Sequence, residues 1–165
     1  MTDYRTSDEI EIAVAHYFGE RTHIIVPNVS WGMFDYELDL CILNNRSGYA
    51  SEVEIKVSKS DLVRDKKKRH KHNLYSIRWL WFAMPEKMEC CQDLVPERAG
   101  IILVSPKGLI RIARKAKANA TAPKWTMEKA FLLARLGTLR IWPLKRAAMS
   151  RKQKHELPVI TEPQP

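Results

Sequence analysis

The apolar pattern of the chain predicts an α/β fold, a mixed β-sheet flanked by helices. Three observations point there. Residues 38 to 42 and 53 to 57 alternate strictly, with Leu38, Leu40 and Ile42 on one face of a first strand and Val53, Ile55 and Val57 on one face of a second. Residues 75 to 84 and 100 to 104 are β-branched, aromatic or otherwise apolar runs suited to buried strands. Residues 7 to 18 and 127 to 136 repeat their apolar positions at helical spacing instead.

Taken in order, Ser7 is placed to cap a helix whose first turn carries Asp8, Glu9 and Glu11, all favourable at its positive end. Its core face is Ile10, Ala13, Val14, Tyr17 and Phe18, with His16 on the surface. After Gly19, His23 to Val26 forms a short strand ended by Pro27-Asn28, and Trp31-Gly32-Met33-Phe34 is a loop tucking aromatics against the core. The alternating hairpin follows, turning at Asn45 to Ser47. Ser58 or Ser60 then caps a helix running to about His72, whose second half, RDKKKRHKH, is charged on more than one face and must meet solvent or phosphate.

Tyr75 to Met84 reads as a central strand with its tryptophans in the core, and Glu86 to Cys91 as a short helix. Gly100 to Val104 is a buried strand that turns through Ser105-Pro106-Lys107-Gly108 into a partner, Leu109 to Ala113. Ala116 to Pro123 is a linker, Thr126 caps a last helix from Met127 to Leu136, and Trp142-Pro143 ends the ordered fold. Residues 1 to 143 are thus expected to form one domain, and 144 to 165 a basic, flexible tail.

A chain of 165 residues buries about two-thirds of its unfolded surface without staples. It has no signal-peptide pattern and no apolar run near the roughly 18 residues that cross a bilayer, so a cytoplasmic, nucleoid-associated protein with no membrane partner is expected. Cys41, Cys90 and Cys91 are odd in number and lack a CxxC spacing, and read as reduced thiols. The net charge of +9 is unevenly spread: residues 1 to 55 hold three basic and ten acidic side chains, residues 56 to 165 hold 25 and nine. Such asymmetry suits a protein whose lysines and arginines hold a polyanion while a few carboxylates do chemistry on it. No Walker loop, zinc-ligand spacing or Ser-His-Asp arrangement is present, and no small-molecule cofactor is expected.

The chemistry concentrates in DYELDLCILNNRSGYASEVEIKVSKSD, residues 35 to 61. With a period of two, Glu37 and Asp39 share one side of the first strand, and Glu52, Glu54 and Lys56 one side of the second. An antiparallel register about the turn sets Asp39 opposite or diagonal to Glu54, about 5 to 8 Å away. Facing carboxylates repel unless solvated or joined by a cation. Mg²⁺, for which Mn²⁺ can substitute, takes hard oxygens, and Asp39, Glu54 and the Ile55 carbonyl would supply them. Lys56 would point its ammonium at a scissile phosphate.

Asp39 followed by Glu54-Ile55-Lys56 resembles the PD-(D/E)XK nuclease superfamily. The run Val57-Ser58-Lys59-Ser60-Asp61-Leu62, then Asp65 and lysines, resembles its MmcB-type DNA-repair branch, and a looser likeness extends over residues 7 to 142. The resemblance implies a restriction-endonuclease-like sheet and a Mg²⁺-dependent DNA endonuclease acting in repair or recombination. It also implies catalytic roles for Asp39, Glu54 and Lys56, and an assisting metal contact from Glu11 on the first helix. Superfamily members that cut both strands often pair, which leaves a homodimer open. DNA would be gripped by Lys59, Arg64, Lys66, Lys67, Lys68, Arg69 and Lys71, and by a second basic patch, Arg111, Arg114 and Lys115. The alternatives are a non-catalytic DNA-binding repair accessory on the same scaffold and an RNA-processing nuclease.

Overall fold

A computed structural model describes residues 6–30, 32–65, 72 and 75–156, with side chains described as far as Arg151. Trp31, Lys66, Lys67, Lys68, Arg69 and Lys71 lie outside the described residues. Helix α1, Ser7–Phe18, leads into strands β1, His23–Val29, β2, Leu38–Asn44, and β3, Ala50–Ile55. Helix α2, Lys59–Asp65, precedes β4, Ile77–Pro85; a 3₁₀ helix, Glu86–Leu94, precedes β5, Gly100–Val104, and β6, Ile110–Arg114. Helix α3, Met127–Glu156, closes the chain. The strands form one sheet in sequence order. Pairing is antiparallel from β1 to β3 and between β5 and β6, and parallel between β3 and β4 and between β4 and β5. The protein is α/β with a mixed sheet flanked by helices, as the sequence predicts. Among the described residues, no helix is long and apolar enough to cross a membrane.

The two sheet faces are covered differently. Ile10 and Val14 of α1 pack on Leu40, Ile42, Val53, Ala83, Ile102 and Val104. On the other face, Leu62 of α2 with Met88 and Cys91 of the 3₁₀ helix cover Leu80, Phe82, Met84, Ile101 and Leu103. Nearer β1, Trp125 and Leu133 cover Val26, Cys41, Leu43 and Ile77. The β2–β3 turn is set by Asn44, whose Oδ1 accepts the N–H groups of Arg46 and Ser47 at 3.0 and 2.8 Å, and by Gly48 at φ 72°.

Several expectations need correction. Thr6, not Ser7, caps α1: its side chain accepts from the N–H of Glu9 while Glu9 Oε2 accepts from the N–H of Thr6, a reciprocal box. Strand β1 continues through Pro27 to Val29, because an edge strand tolerates a residue with no N–H to give. Helix α2 is described over Lys59–Asp65, and His72 is a buried turn residue with φ 53°, not an exposed member of a basic helix; residues 66–71 of the expected helix lie outside the described residues.

Helix α3 runs through Pro143 to Glu156, so the last helix does not end at Leu136 and residues 144 to 156 continue it beyond Trp142-Pro143. Proline forfeits one intrahelical bond, but strong helix formers such as Leu144, Lys145, Arg146, Ala147 and Ala148 follow it. In β4 the alternation sends Leu80 and Phe82 into the core and leaves Trp79 and Trp81 half-buried on the α1 face, so the tryptophans are not simple core residues. The three cysteines are free thiols, with Cys41 and Cys91 buried and Cys90 exposed.

Candidate active site

The site forms where the β2–β3 ladder ends. That ladder pairs Cys41 with Glu52 and Leu40 with Val53, so one step further Asp39 stands level with Glu54. There the carboxylate replaces the backbone as acceptor: Asp39 Oδ2 takes the N–H of Ile55 at 2.7 Å. Asp39 is thereby tied to the residue between Glu54 and Lys56, and the three predicted side chains share one end of the hairpin. Lys56 Nζ donates to Glu54 Oε2 at 2.6 Å and lies 3.1 Å from Asp65 Oδ1.

Glu11, on α1, is near enough to Asp39 to feel its charge. Burial, then the charges of Asp8 and Asp39, push its carboxyl above the usual range, against an opposing pull from Arg140. Glu9 is occupied in the helix cap, which separates the two candidates on that helix.

Glu52, Asp65, His72 and Tyr36 complete the cluster, and the sequence pattern assigns none of them a role. Because β3 alternates, Glu52, Glu54 and Lys56 point to one side, beside Leu80 and Phe82, which lie level with Glu52 and Glu54 on parallel β4. Glu52 and Glu54 are 0% and 1% exposed. Two carboxylates so far from water need compensation, which His72 and Tyr36 provide. His72 Nδ1 lies 2.7 Å from Glu52 Oε1 and 3.7 Å from Glu54 Oε1, and its Nε2 lies 2.6 Å from Asp65 Oδ2. The Tyr36 hydroxyl donates to both Glu52 oxygens, at 3.0 and 2.9 Å. The imidazole also packs edge-on against Tyr36 and Phe82 at 5.8 and 5.5 Å. Arg98 holds the His72 carbonyl, which steadies a left-handed backbone conformation unusual for a non-glycine residue.

With a carboxylate at each ring nitrogen, His72 is arranged as a doubly protonated imidazolium. Burial lowers its pKa, but the hydrogen bonds to Asp65 and Glu52 and the charges of Glu52 and Glu54 outweigh it and push the imidazole up from 6.5 to about 9. Burial likewise lowers Lys56, while Glu54, Asp65 and Asp39 hold it above the ordinary lysine value. Burial and the adjacent Glu52 push the Tyr36 phenol up, so it stays a donor.

Two cations built into the chain therefore do part of what the sequence pattern assigns to a metal. Glu52, Glu54 and His72 bring possible ligand atoms within 4.8 Å of one another. A metal bound through His72 would have to displace its proton, so the imidazole is better read as a counter-cation. Asp39, Glu54 and the Ile55 carbonyl still fit a hard divalent ion. Among the described residues, four carboxylates, Asp39, Glu52, Glu54 and Asp65, are gathered around two cations, Lys56 and His72. A cavity of about 560 Å³, lined by Asp65, His72, Asp93, Pro96, Glu97 and Arg114, opens beside the cluster.

The expected DNA-binding residues fare unevenly. Lys59 is exposed at the start of α2, and Arg64 is exposed and paired with Asp61. Arg111 grips Glu89 through two bonds of 3.1 and 2.6 Å. Arg114 donates to the carbonyls of Ala99, Pro96 and Val95. The second basic patch is thus largely committed to internal partners, because the acidic 3₁₀ helix and the loop after it pack beside β6. Lys115 is exposed and lines a different cavity, on the α1 face.

The chain matches no family model and no curated protein. It is similar in structure to SPO1766, a protein of unknown function from Silicibacter pomeroyi, at 14% identity over 95% of this chain and 98% of that one, with a TM-score of 0.62. At this identity the likeness is one of fold.

Proposed function

We propose that the protein is a metal-dependent endodeoxyribonuclease of the PD-(D/E)XK type, resembling the MmcB-type repair branch and acting on DNA in repair or recombination. The observation that carries the reading is the 2.7 Å contact from Asp39 to the Ile55 N–H, which joins the aspartate to the Glu-Ile-Lys segment. Asp39, Glu54 and the Ile55 carbonyl would hold Mg²⁺ or Mn²⁺, with Glu11 assisting from α1. When bound, such an ion supplies Lewis acidity toward a phosphate oxygen and makes water a better nucleophile near neutral pH.

The chain's own residues then divide the remaining work. Lys56, held protonated by Glu54, Asp65 and Asp39, stabilises negative charge developing on the phosphate rather than accepting a proton. His72 and Tyr36 fix Glu52, and His72 with Lys56 fixes Asp65, so the carboxylates keep their geometry as substrate arrives. Incubation of the purified protein with Mg²⁺ or Mn²⁺ and single-stranded, duplex, flapped and branched DNA tests the reading. Scission that EDTA stops, and that Asp39→Ala lowers by about 10² to 10³-fold, is the expected result. No scission of any substrate with either ion would overturn it.

A second reading, a DNA-binding accessory without catalysis, draws support from the closure of the cluster: Lys56 and His72 already neutralise part of it, and Glu54 is 1% exposed. Salt-sensitive DNA binding with no metal-dependent cleavage is its signature. RNA as a competitor and as a substrate separates a ribonuclease from either.

A further inference from the structure

On the sheet face opposite the carboxylates, α1 ends at Phe18 and leaves part of the sheet uncovered. A cavity of about 400 Å³ fills the gap, close to the size that holds a drug-sized or nucleotide-sized ligand. Its floor includes Ile42 and Ser51, which are buried, and its walls are Trp79, Trp81 and Tyr49 together with Tyr17 and Phe18. Exposing two tryptophans of one strand to a concave space is costly unless something covers them.

The aromatic walls are fixed in place. Gly100 on β5 lets the Trp81 ring lie against its backbone; a β-carbon there would come within 2.2 Å of the ring. Phe18 meets Trp81 edge-on at 6.4 Å, and Tyr49 meets Trp79 edge-on at 6.1 Å. The Arg78 guanidinium stacks on Tyr49 at 4.3 Å. Preorganised flat surfaces of this kind favour a flat ring.

The polar groups indicate what the ring carries. Ser47 and Ser51 place hydroxyls along the lining, and Lys115 is exposed beside them; the His23 ring nitrogens are already engaged by Thr22 and Asn44. Aromatic walls, short polar side chains and a cation suit a base with an attached phosphate.

We propose that this cavity binds a nucleotide, its base against Trp79 and Trp81 and its phosphate at Lys115. The same chemistry is presented by a free mononucleotide and by an unpaired nucleotide within a single strand. Because the cavity lies across the sheet from the carboxylate cluster, the proposal stands apart from the nuclease reading.

The test is titration of the full chain, in EDTA, with dAMP, deoxyadenosine and a five-residue oligodeoxyadenylate, following tryptophan fluorescence. Saturable quenching by dAMP and by the oligonucleotide is expected, with deoxyadenosine at least tenfold weaker. Quenching by the oligonucleotide alone supports the cavity as a single-strand site. Lys115→Glu, at an exposed position, and Trp79→Leu, checked for folding by circular dichroism, should each weaken binding at least tenfold. Absence of saturable quenching by both nucleotide probes, binding of the quenching probe unchanged within twofold in Lys115→Glu, or deoxyadenosine binding as tightly as that probe would overturn it. EDTA keeps the outcome independent of any metal: nucleotide binding without cleavage would fault the nuclease reading alone, and cleavage without nucleotide binding would fault this one alone.

Discussion

On one side of β3, Val53 lies beneath Ile10 and Val14 of α1 in an aliphatic layer. On the other, Glu52 and Glu54 are equally inaccessible, yet their neighbours are His72, Lys56, Asp65 and Tyr36. The first side is held by area removed from water and tolerates changes of shape. The second is held by matched charges, each of which is expensive to remove alone. A fold that needed only stability would gain by making both sides aliphatic. Stability alone therefore does not account for the charged side.

Substitutions on the two sides put that contrast to the test. Asp65→Ala leaves Lys56 and His72 short of a partner and should cost about 3 to 5 kcal/mol in chemical denaturation. Leu40→Val, across the sheet, should cost about 1 kcal/mol. Equal costs would erase the distinction between the faces. Asp39→Ala should lower metal-dependent cleavage by about 10² to 10³-fold, some 3 to 4 kcal/mol of barrier, with DNA affinity retained; Leu40→Val should leave the rate unchanged.

The charged side should also make stability depend on pH. His72 has a folded pKa of about 9, raised above the 6.5 of an unperturbed imidazole. Its contribution is therefore complete below about pH 6.5 and is lost as pH climbs through 9. In EDTA this should remove about 3 kcal/mol across that window, since each pH unit separating the folded and unfolded values is worth about 1.4 kcal/mol. His72→Gln should flatten the curve; a wild-type profile already flat from pH 6.5 to 9 would show that the imidazole is not charged. Smallest of all, Arg111→Ala breaks a solvent-screened ion pair with Glu89 and should leave the denaturation midpoint almost unchanged.

Much of this is readable in the sequence because it is local. Alternation places β2 and β3, and the turn at Asn44 to Gly48 sets a register that brings Asp39 level with Glu54. The rest depends on contacts between distant residues. His72 sits in a run of lysines and arginines, and nothing in the local sequence marks it for burial. Its burial goes with side-chain contacts to Glu52, twenty residues away, and to Asp65. One clue is present: Glu52 shares a strand face with Glu54, on a central strand whose neighbour presents Leu80 and Phe82, and so needs a cation. Tyr36 escapes for a related reason, since its hydroxyl finds Glu52 across sixteen positions. Trp79 and Trp81 read as core because aromatic strands usually are; that α1 ends at Phe18, before covering them, is a matter of helix length and placement.

The β1 margin of the sheet has a further consequence. Pro27 has no N–H, Asn28 departs to φ 49°, and the Asn28 carbonyl is taken by Arg140 of α3 at 2.6 Å. A strand from another molecule approaching there would meet a missing donor, a kinked backbone and an occupied acceptor in succession. At the opposite margin, β6 carries Arg111 and Arg114. Charge and irregular backbone at the two rims disfavour growth of the sheet by edge-to-edge addition, which guards an apolar interior against aggregation.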